Sequence, residues 1–187
     1  MNEPTQHDKP DADPEDGTVA RVGDDLVLRF ERTLRHPIGK VWAALTDPAE
    51  CARWLGDLGV ELVQDGPFEL SNDGQKIATG TVTELRAPGG EGAAVAEYTW
   101  HASFSDAGSA VIRWELTPVG SGTQLVLTQT AASADFLAEG AAGWHGFLDQ
   151  LAQVLTGGDG VADRAAWRAR RARYSASFGV PMNPAIP

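Results

Sequence analysis

The residue types most often used in catalysis are sparse and widely spaced in this chain. His36, His101 and His145 fall in a predicted loop, strand and helix, and their spacing matches no metal-binding or nucleophile motif. The sequence therefore predicts no catalytic residue and no metal site. His145 follows Trp144 at the edge of an apolar helical stripe, from which an imidazole can act as a general base. The favoured interpretation is that His145 faces solvent.

Large aromatic side chains are the more informative chemical signal. Small-molecule sites are mostly apolar and aromatic with a few polar groups, and a tryptophan N–H can anchor a polar atom of a ligand. The same side chains can instead fill a core completely, and both interpretations stay open. The aromatic ligand-binding candidates are Trp42, Trp54, Tyr98, Trp100, Trp114, Trp144 and Phe147.

Two polar side chains, Arg32 and Gln129, are predicted to point inward and join the ligand-binding candidates. A buried arginine is costly unless it is paired. Glu84 is the expected partner of Arg32, and the pair is interpreted as structural, with recognition of a polar ligand head as the alternative. The single cysteine, Cys51, is interpreted as a small packing residue.

One long amphipathic helix is predicted to position these residues. Between Phe136 and Leu155, apolar residues recur at three- and four-residue steps and form one helical stripe. Ser133 and Asp135 are both possible N-caps, and Gly157-Gly158 is a strong stop signal. Because strand-like segments precede the helix, its wide aromatic stripe is expected to pack on a sheet.

Strand and helix patterns account for the chain before the long helix. Leu26 to Leu34 alternates as a strand whose apolar face includes Arg32. Pro37 to Leu45 is predicted as a short helix, and Asp47 caps a second one that ends at Gly56. Glycine-containing turns then separate six segments of an antiparallel meander, predicted at Val60 to Gln64, Pro67 to Leu70, Gln75 to Leu85, Ala93 to His101, Ala110 to Leu116 and Thr123 to Gln129.

The inward face of the meander is expected to face the long helix. By strand alternation it consists of Ala96, Tyr98, Trp100, Ile112, Trp114, Leu116, Leu125, Leu127 and Gln129. A short Arg-rich helix, Ala162 to Ser175, follows at the periphery and carries Trp167, Arg171 and Tyr174 near one side.

Composition limits the function classes. The chain has 187 residues with 26 acidic and 15 basic side chains, and its net charge of -11 argues against nucleic-acid binding and against charge-driven binding to anionic membranes. One cysteine excludes an internal disulfide and a cysteine-based zinc cluster. With no signal peptide and no apolar run long enough to span a membrane, the expected location is cytoplasmic.

One domain with two tails is the predicted organisation. Residues 1–23 carry six acids and two bases among many Pro and Gly residues, and are predicted as a disordered acidic leader. Residues 24–158 form the predicted globular domain, and residues 159–187 hold the Arg-rich peripheral helix and a Pro-rich tail. The basic stretch of residues 161–187, with five Arg and one Asp, is interpreted as docking back onto the acidic body.

Short motifs spread over residues 26–157 carry a family resemblance. They are Arg32 before Pro37, Val41-Trp42, Leu45-Thr46-Asp47-Pro48, Arg53-Trp54, Gly80-x-Val82-x-Glu84, Tyr98-Thr99-Trp100, Gly122-Thr123-x-Leu125 and Gly143-Trp144-x-x-Phe147-Leu148-x-x-Leu151. By these motifs the chain resembles the Hsp90-ATPase-activator-like (AHSA1-type) branch of the START/Bet v 1-like superfamily, also called SRPBCC or polyketide cyclase-like. The resemblance implies an α+β helix-grip fold, in which a curved antiparallel sheet surrounds a long C-terminal helix with an elongated apolar cavity between them. The chain departs from the family at Gly66-Pro67, where Gly-Gly often precedes the third strand.

The resemblance and the lack of a catalytic set together indicate non-catalytic binding of a hydrophobic small molecule, lipid-like or polyketide-like, in that cavity. A chaperone-associated regulator acting through protein contact, as the family's name implies, is the first alternative. A cyclase or hydrolase acting in the same cavity is the second. No cofactor is expected. The expected partners are the small molecule and, in the first alternative, a chaperone or other protein, with no nucleic acid and no membrane span.

Overall fold

The order of helices and strands follows the prediction from sequence closely. The computed structural model describes residues 15–59, 61–89, 93–103, 109–131, 133–134 and 137–184. The strands are β1 (Thr18–Val22), β2 (Asp25–Leu34), β3 (Asp57–Leu58), β4 (Pro67–Asn72), β5 (Gln75–Arg86), β6 (Ala94–Ala102), β7 (Ala110–Val119) and β8 (Gly122–Ala131). The helices are α1 (Ile38–Thr46), α2 (Pro48–Cys51), α3 (Leu137–Leu155) and α4 (Arg164–Phe178).

The eight strands of the described chain form one sheet in the order β1-β2-β8-β7-β6-β5-β4-β3. Neighbouring strands pair antiparallel throughout. The sheet is open and curved, and the long helix lies against its inner face. The expected α+β helix-grip architecture is therefore confirmed.

The long helix α3 packs on the face of the sheet that the alternation pattern predicts to point inward. Trp144, Leu148 and Leu151 of α3 are buried in the same core as Trp114 and Leu127 of the sheet. Most of the stability of such a helix comes from burial of this apolar face rather than from helix propensity. None of the described helices is both long and apolar enough to cross a membrane.

The helix ends agree with their predicted signals where the structure describes them. The Asp47 side chain accepts a hydrogen bond from a backbone N–H in the first turn of α2 at 2.8 Å, so it caps this helix as predicted. α3 ends at Leu155, and Gly157 follows with a φ of +92°, a left-handed value that glycine adopts without strain. The possible N-cap Asp135 and the first predicted helical residue, Phe136, lie outside the described residues.

One predicted strand is wrong. The segment from Val60 to Gln64 forms no strand in its described part, and β3 is instead the shorter Asp57–Leu58. The Gln64 side chain supplies the reason, since its amide donates to the carbonyl of Thr83 at 3.0 Å and accepts from the N–H of Leu85 at 2.9 Å. A side chain thus makes the hydrogen bonds on β5 that a neighbouring strand backbone would make.

Part of the segment predicted as a disordered leader is ordered. Thr18–Val22, inside the segment predicted as disordered, forms β1 and pairs with β2 through a tight turn at Gly23, whose φ is +63°. β1 is an edge strand with mostly exposed side chains, held by backbone hydrogen bonds. It therefore lacks the apolar alternation by which strands are detected in a sequence. Residues 1–14 lie outside the described residues.

The Arg-rich helix α4 is longer than predicted and packs on α3. Asp163 caps its N-terminus, and Gly179 follows its last turn with a φ of +67°. Arg171 and Tyr174 are both buried, as their predicted position on one side of the helix suggests. The long helix is therefore covered by the sheet on one side and by α4 on another.

Gly80 lies where two strand backbones approach closely. A Cβ at this position would be 1.8 Å from the carbonyl oxygen of Thr99 on β6. Because that oxygen belongs to the backbone of β6 and cannot move aside cheaply, Gly80→Ala should lower the free energy of unfolding by about 3 kcal/mol, measured by chemical denaturation. Gly89→Ala is the control, since a Cβ there meets nothing within 4 Å and stability should stay within about 1 kcal/mol of wild type. Equal stability of the two variants would contradict this explanation.

Candidate ligand-binding site

Aromatic side chains form a continuous layer between the sheet and α3, which we call the aromatic cluster. Trp144 is at its centre, with its ring centroid 5.5 Å from that of Trp100, 5.6 Å from that of Trp114 and 5.8 Å from that of Phe147. Six of the seven members are candidates from the sequence. The members are Trp54, Phe68, Tyr98, Trp100, Trp114, Trp144 and Phe147.

Phe68 is the member that the candidates from sequence do not include. Its ring stacks on Tyr98 with centroids 4.0 Å apart and lies 5.6 Å from the ring of Trp100. The alternation of Phe68 and Leu70 with polar residues along β4 is the signal that identifies it. The inward face of β4 therefore contributes to the site alongside that of β6.

The rings of the aromatic cluster contact one another in the region where the resemblance implies a cavity. Two surface cavities formed by described residues, of about 290 and 480 Å³, lie elsewhere. Trp42 is an aromatic candidate outside the cluster, and it lines the larger surface cavity together with Pro48 and Glu61. A ligand between the sheet and α3 must therefore displace side chains to enter.

Three buried indoles of the aromatic cluster donate hydrogen bonds. The Nε1 of Trp144 donates to the Oε1 of Gln129 at 2.6 Å. The Nε1 of Trp114 donates to the hydroxyl of Tyr98 at 2.8 Å, and that of Trp54 donates to a carbonyl of α1 at 2.8 Å. Burial raises the pKa of Tyr98, so its hydroxyl stays protonated. The structure thus brings the candidate Gln129 into contact with the centre of the cluster.

The aromatic cluster reaches the surface along one side of α3. Trp100, Phe147 and Gln129 are only half-buried there. Gly140 lies on the same side of the helix, where an added Cβ would be 3.6 Å from the Oε1 of Gln129, and a Cβ on Gly143 would meet nothing within 4 Å. Because these two helix positions carry no side chains, the edge of the cluster stays uncovered. We call these five residues the open flank.

The predicted pairing of Arg32 with Glu84 is wrong. A β-bulge in β5 between Val82 and Glu84 shifts the alternation, so that Leu85 and not Glu84 packs against the core. The Nη1 of Arg113 on β7 donates to Glu84 at 2.7 Å. This hydrogen bond lowers the pKa of the Glu84 carboxyl. Glu84 thus belongs to a surface ion-pair network.

Arg32 is buried as predicted, but its contacts are not those of a ligand site in the aromatic cluster. Its Nη1 donates to the backbone carbonyl of Glu31 at 2.9 Å, and its guanidinium lies 5.7 Å from the ring centroid of Phe30. Its positive charge also contributes to lowering the pKa of His145. Arg32 therefore lies on the side of the core near His145, where its charge favours the neutral imidazole.

The expectation that His145 faces solvent is wrong, because α4 covers this face of α3. The side chain is 2% exposed, and its Nδ1 shares a hydrogen bond of 2.8 Å with the hydroxyl of Tyr174. Burial lowers the pKa of His145 from 6.5 to about 4, with a further contribution from the charge of Arg170. The imidazole is therefore neutral near pH 7. His101, in contrast, is exposed on β6.

Charged side chains from three parts of the chain surround His145. The Oδ1 of Asp149 lies 3.8 Å from its Nε2, and the Oδ1 of Asp16 lies 3.7 Å from its Nδ1. Arg170 pairs with Asp149, and Arg173 pairs with Asp16. The four-residue spacing of His145 and Asp149 on one helix is the only local signal of this arrangement. We call these five residues, with Tyr174, the charge cluster.

A second polar contact holds α4 and the C-terminal segment on α3. The Nε of Arg171 donates to the Oε1 of Glu139 at 2.8 Å, and the backbone N–H of Asn183 donates to the same oxygen at 2.7 Å. Both charged side chains are buried, so removing either partner would leave a buried charge that is costly. The interpretation that the basic tail docks onto the acidic body is confirmed for the described residues.

The family model of Activator of Hsp90 ATPase homolog 1-like proteins matches residues 35–156. The chain belongs to this family. The match covers most of the sheet and ends with α3, so the whole aromatic cluster lies within the family domain. A comparison with curated proteins finds no match.

Solved structures with the same fold come from several organisms. CalU16 from Micromonospora echinospora is 19% identical, with 87% of this chain and 96% of that chain covered and a TM-score of 0.68. The conserved protein of unknown function EF2215 from Enterococcus faecalis is 17% identical, with 87% and 90% covered and a TM-score of 0.70. The protein encoded by gene BPP1335 from Bordetella parapertussis is 26% identical, with 94% and 96% covered and a TM-score of 0.62. These similarities support the helix-grip fold.

In this member of the Activator of Hsp90 ATPase homolog 1-like family, the charge cluster crosses the boundary of the family domain. The matched region ends at residue 156, before α4 begins. His145 and Asp149 lie inside it, whereas Asp16, Arg170 and Arg173 lie outside it. The face of α3 that bears His145 is therefore covered by segments outside the matched region.

Cys51, inside the family domain, should be chemically inert in the folded protein. Its side chain is fully buried, and its Sγ donates to the carbonyl of Ala44 at 3.3 Å. Burial, followed by the charges of Asp47 and Glu50, raises the pKa of the thiol from 9.0 to about 12. The native protein should hold on the order of 1000-fold less thiolate than the unfolded chain at pH 8. Labelling by iodoacetamide should be correspondingly slow, and fast in denaturant.

The pH dependence of stability offers an independent check on Cys51. The folded pKa lies above the unfolded one, so the thiol's contribution to stability is present below pH 9 and is lost as the pH rises from 9 towards 12. The free energy of unfolding should therefore fall more steeply above pH 9 in the wild type than in Cys51→Ala. Rapid labelling of the native protein at pH 8 would show that the thiol is accessible.

Proposed function

We propose that this protein binds a hydrophobic small molecule, lipid-like or polyketide-like, at the aromatic cluster, and that the molecule enters through the open flank. The observation that carries the proposal is the continuity of the cluster from the buried Trp114 to the half-buried Trp100 and Phe147. Sites for small apolar ligands combine such aromatic walls with few polar groups. Membership of the family is consistent with a ligand-binding role.

The half-buried rings are the ones that a ligand can displace at the lowest cost. Trp100 and Phe147 already contact solvent, so moving them exposes less new apolar surface than moving Trp114 would. A flat or flexible apolar ligand then replaces ring–ring contacts with ring–ligand contacts. The net gain comes from the apolar surface of the ligand that leaves water.

Gln129 supports recognition of one polar group on the ligand. Its Oε1 accepts the hydrogen bond of Trp144, which fixes the amide orientation, and its NH₂ group is a donor for a ligand carbonyl or hydroxyl. A polar group at one end of an otherwise apolar molecule fits this arrangement.

Binding without catalysis is the better supported form of the proposal. His145 faces α4, and His101 is exposed on β6, so neither of these described histidines lines the aromatic cluster. The hydroxyl of Tyr98 is engaged by Trp114 and its pKa is raised by burial, which makes it a weak acid–base group.

Gly140→Leu should block the open flank without harming the fold. The new side chain would lie over Gln129, whereas in the matched control Gly146→Leu the added Cβ meets nothing within 4 Å, Gln129 included. Both changes add a good helix former, so both proteins should be at least as stable as wild type. Gly140→Leu should raise the Kd for the ligand at least tenfold, a loss of about 1.4 kcal/mol or more of binding free energy. Gly146→Leu should leave the Kd unchanged.

Binding is measured by quenching of tryptophan fluorescence with oleic acid and with an anthraquinone as a flat polyketide-type probe. Native mass spectrometry of freshly purified protein, followed by organic extraction, identifies any compound that copurifies. An empty protein whose fluorescence responds to neither probe would contradict the proposal. Stimulation of Hsp90-type ATPase turnover by that same empty protein would then support the regulatory alternative.

A further inference from the structure

A histidine and two carboxylates meet where the N-terminal segment, α3 and α4 come together. One potential ligand atom from each of Glu15, His145 and Asp149 lies within 4.8 Å of the other two. His145 and Asp149 are one helical turn apart on α3, and Glu15 belongs to the segment before β1. Imidazole nitrogen and carboxylate oxygen are both ligands of divalent transition-metal ions.

We propose that Glu15, His145 and Asp149 bind one divalent transition-metal ion, for which Zn²⁺ is a suitable probe. The site lies on the face of α3 towards α4, apart from the open flank, and is independent of the proposed small-molecule binding. The sequence alone does not indicate it, because Glu15 falls in the segment predicted as a disordered leader.

Nε2 of His145 is the nitrogen available to a metal ion. Its Nδ1 shares a hydrogen bond of 2.8 Å with the hydroxyl of Tyr174, which can accept from Nδ1–H when a metal binds Nε2. The Nε2 faces the Oδ1 of Asp149 at 3.8 Å. A metal-bound histidine usually has such a partner on its other nitrogen, which holds the ring in place.

Asp149 is oriented for this role by its second oxygen. Arg170 donates to Oδ2, which leaves Oδ1 directed towards His145. Such outer partners are typical of carboxylates and histidines that bind metals, since they hold the ligand atoms in place. A cavity of about 290 Å³ beside His145 has room for water, and it is lined by Ala166, Ala169, Arg170 and Arg173.

Metal binding requires a small contraction of the site. Zinc bonds to nitrogen and oxygen are about 2.0–2.2 Å long, which places two ligands of a tetrahedral ion roughly 3.4 Å apart. The atoms of Asp149 and His145 are 3.8 Å apart, and the three ligand atoms span up to 4.8 Å. Glu15 is exposed and Asp149 half-buried, so both can move towards the buried His145. The positive charge of Arg170 opposes the ion and limits its affinity.

The experiment uses the full chain, stripped with a chelator and dialysed against Zn²⁺ near neutral pH, with bound metal measured by mass spectrometry. We expect one Zn²⁺ per chain. His145→Gln and Asp149→Asn should each weaken binding at least tenfold. The matched controls are His101→Gln, an exposed histidine on β6, and Glu69→Gln, a carboxylate paired with Lys76 on the sheet, and both should bind as the wild type does.

One further variant tests the geometry without disturbing the buried histidine. Glu15→Gln, at an exposed position, should weaken Zn²⁺ binding, and the circular dichroism spectrum of the metal-free protein checks that the fold is kept. Saturating Zn²⁺ should raise the Tm of the wild type but not that of His145→Gln.

Clear results would overturn the proposal. Substoichiometric zinc that the Asp149→Asn and Glu15→Gln variants retain would show binding elsewhere on the acidic surface. Loss of binding in the two control variants as well would assign the metal to sites outside the charge cluster.

Discussion

The packing of Trp144 against the sheet is the contact on which the rest of the structure depends. Its ring contacts Trp100 on β6 and Trp114 on β7, and its indole N–H is bonded to Gln129 on β8. One side chain of α3 thus joins three neighbouring strands, and a buried tryptophan contributes more apolar area than any other residue. The aromatic cluster between the sheet and α3 is centred on this contact. The same residues that stabilise the fold therefore form the surface proposed to bind a ligand.

Features of the fold that rest on local sequence signals were predictable. The apolar period of α3 and the glycine after its last turn mark that helix, and Asp47 marks the start of α2. Features that depend on hydrogen bonds between residues far apart in the sequence were not predictable. β1 is held by hydrogen bonds to β2 rather than by burial, and the side chain of Gln64 replaces a strand that the local pattern predicts. No local pattern encodes either contact.

In the candidate site too, the residues with a local sequence signal were predicted correctly and those without one were not. Strand alternation correctly places Tyr98, Trp100 and Trp114 on one inward face, because each residue continues the period of its own strand. It fails at Glu84, where one bulge reverses the faces, and such a bulge leaves little trace in a single sequence. It also fails at His145, whose environment is decided by a helix that begins 19 residues later in the chain. The sequence of α3 alone does not show that α4 will later cover His145.

The hydrogen bond between Gly17 and Tyr174 joins residues 157 positions apart and brings the two ends of the described chain together over α3. During synthesis at the ribosome, the N-terminal segment emerges first and must wait for α4. At typical elongation rates the delay is roughly 10 to 30 s, longer than most small domains need to fold. The sheet and α3 can therefore assemble while His145 and its neighbours still face water. That face of α3 carries the polar side chains Glu139 and His145, which suit contact with water until the final helix closes over it.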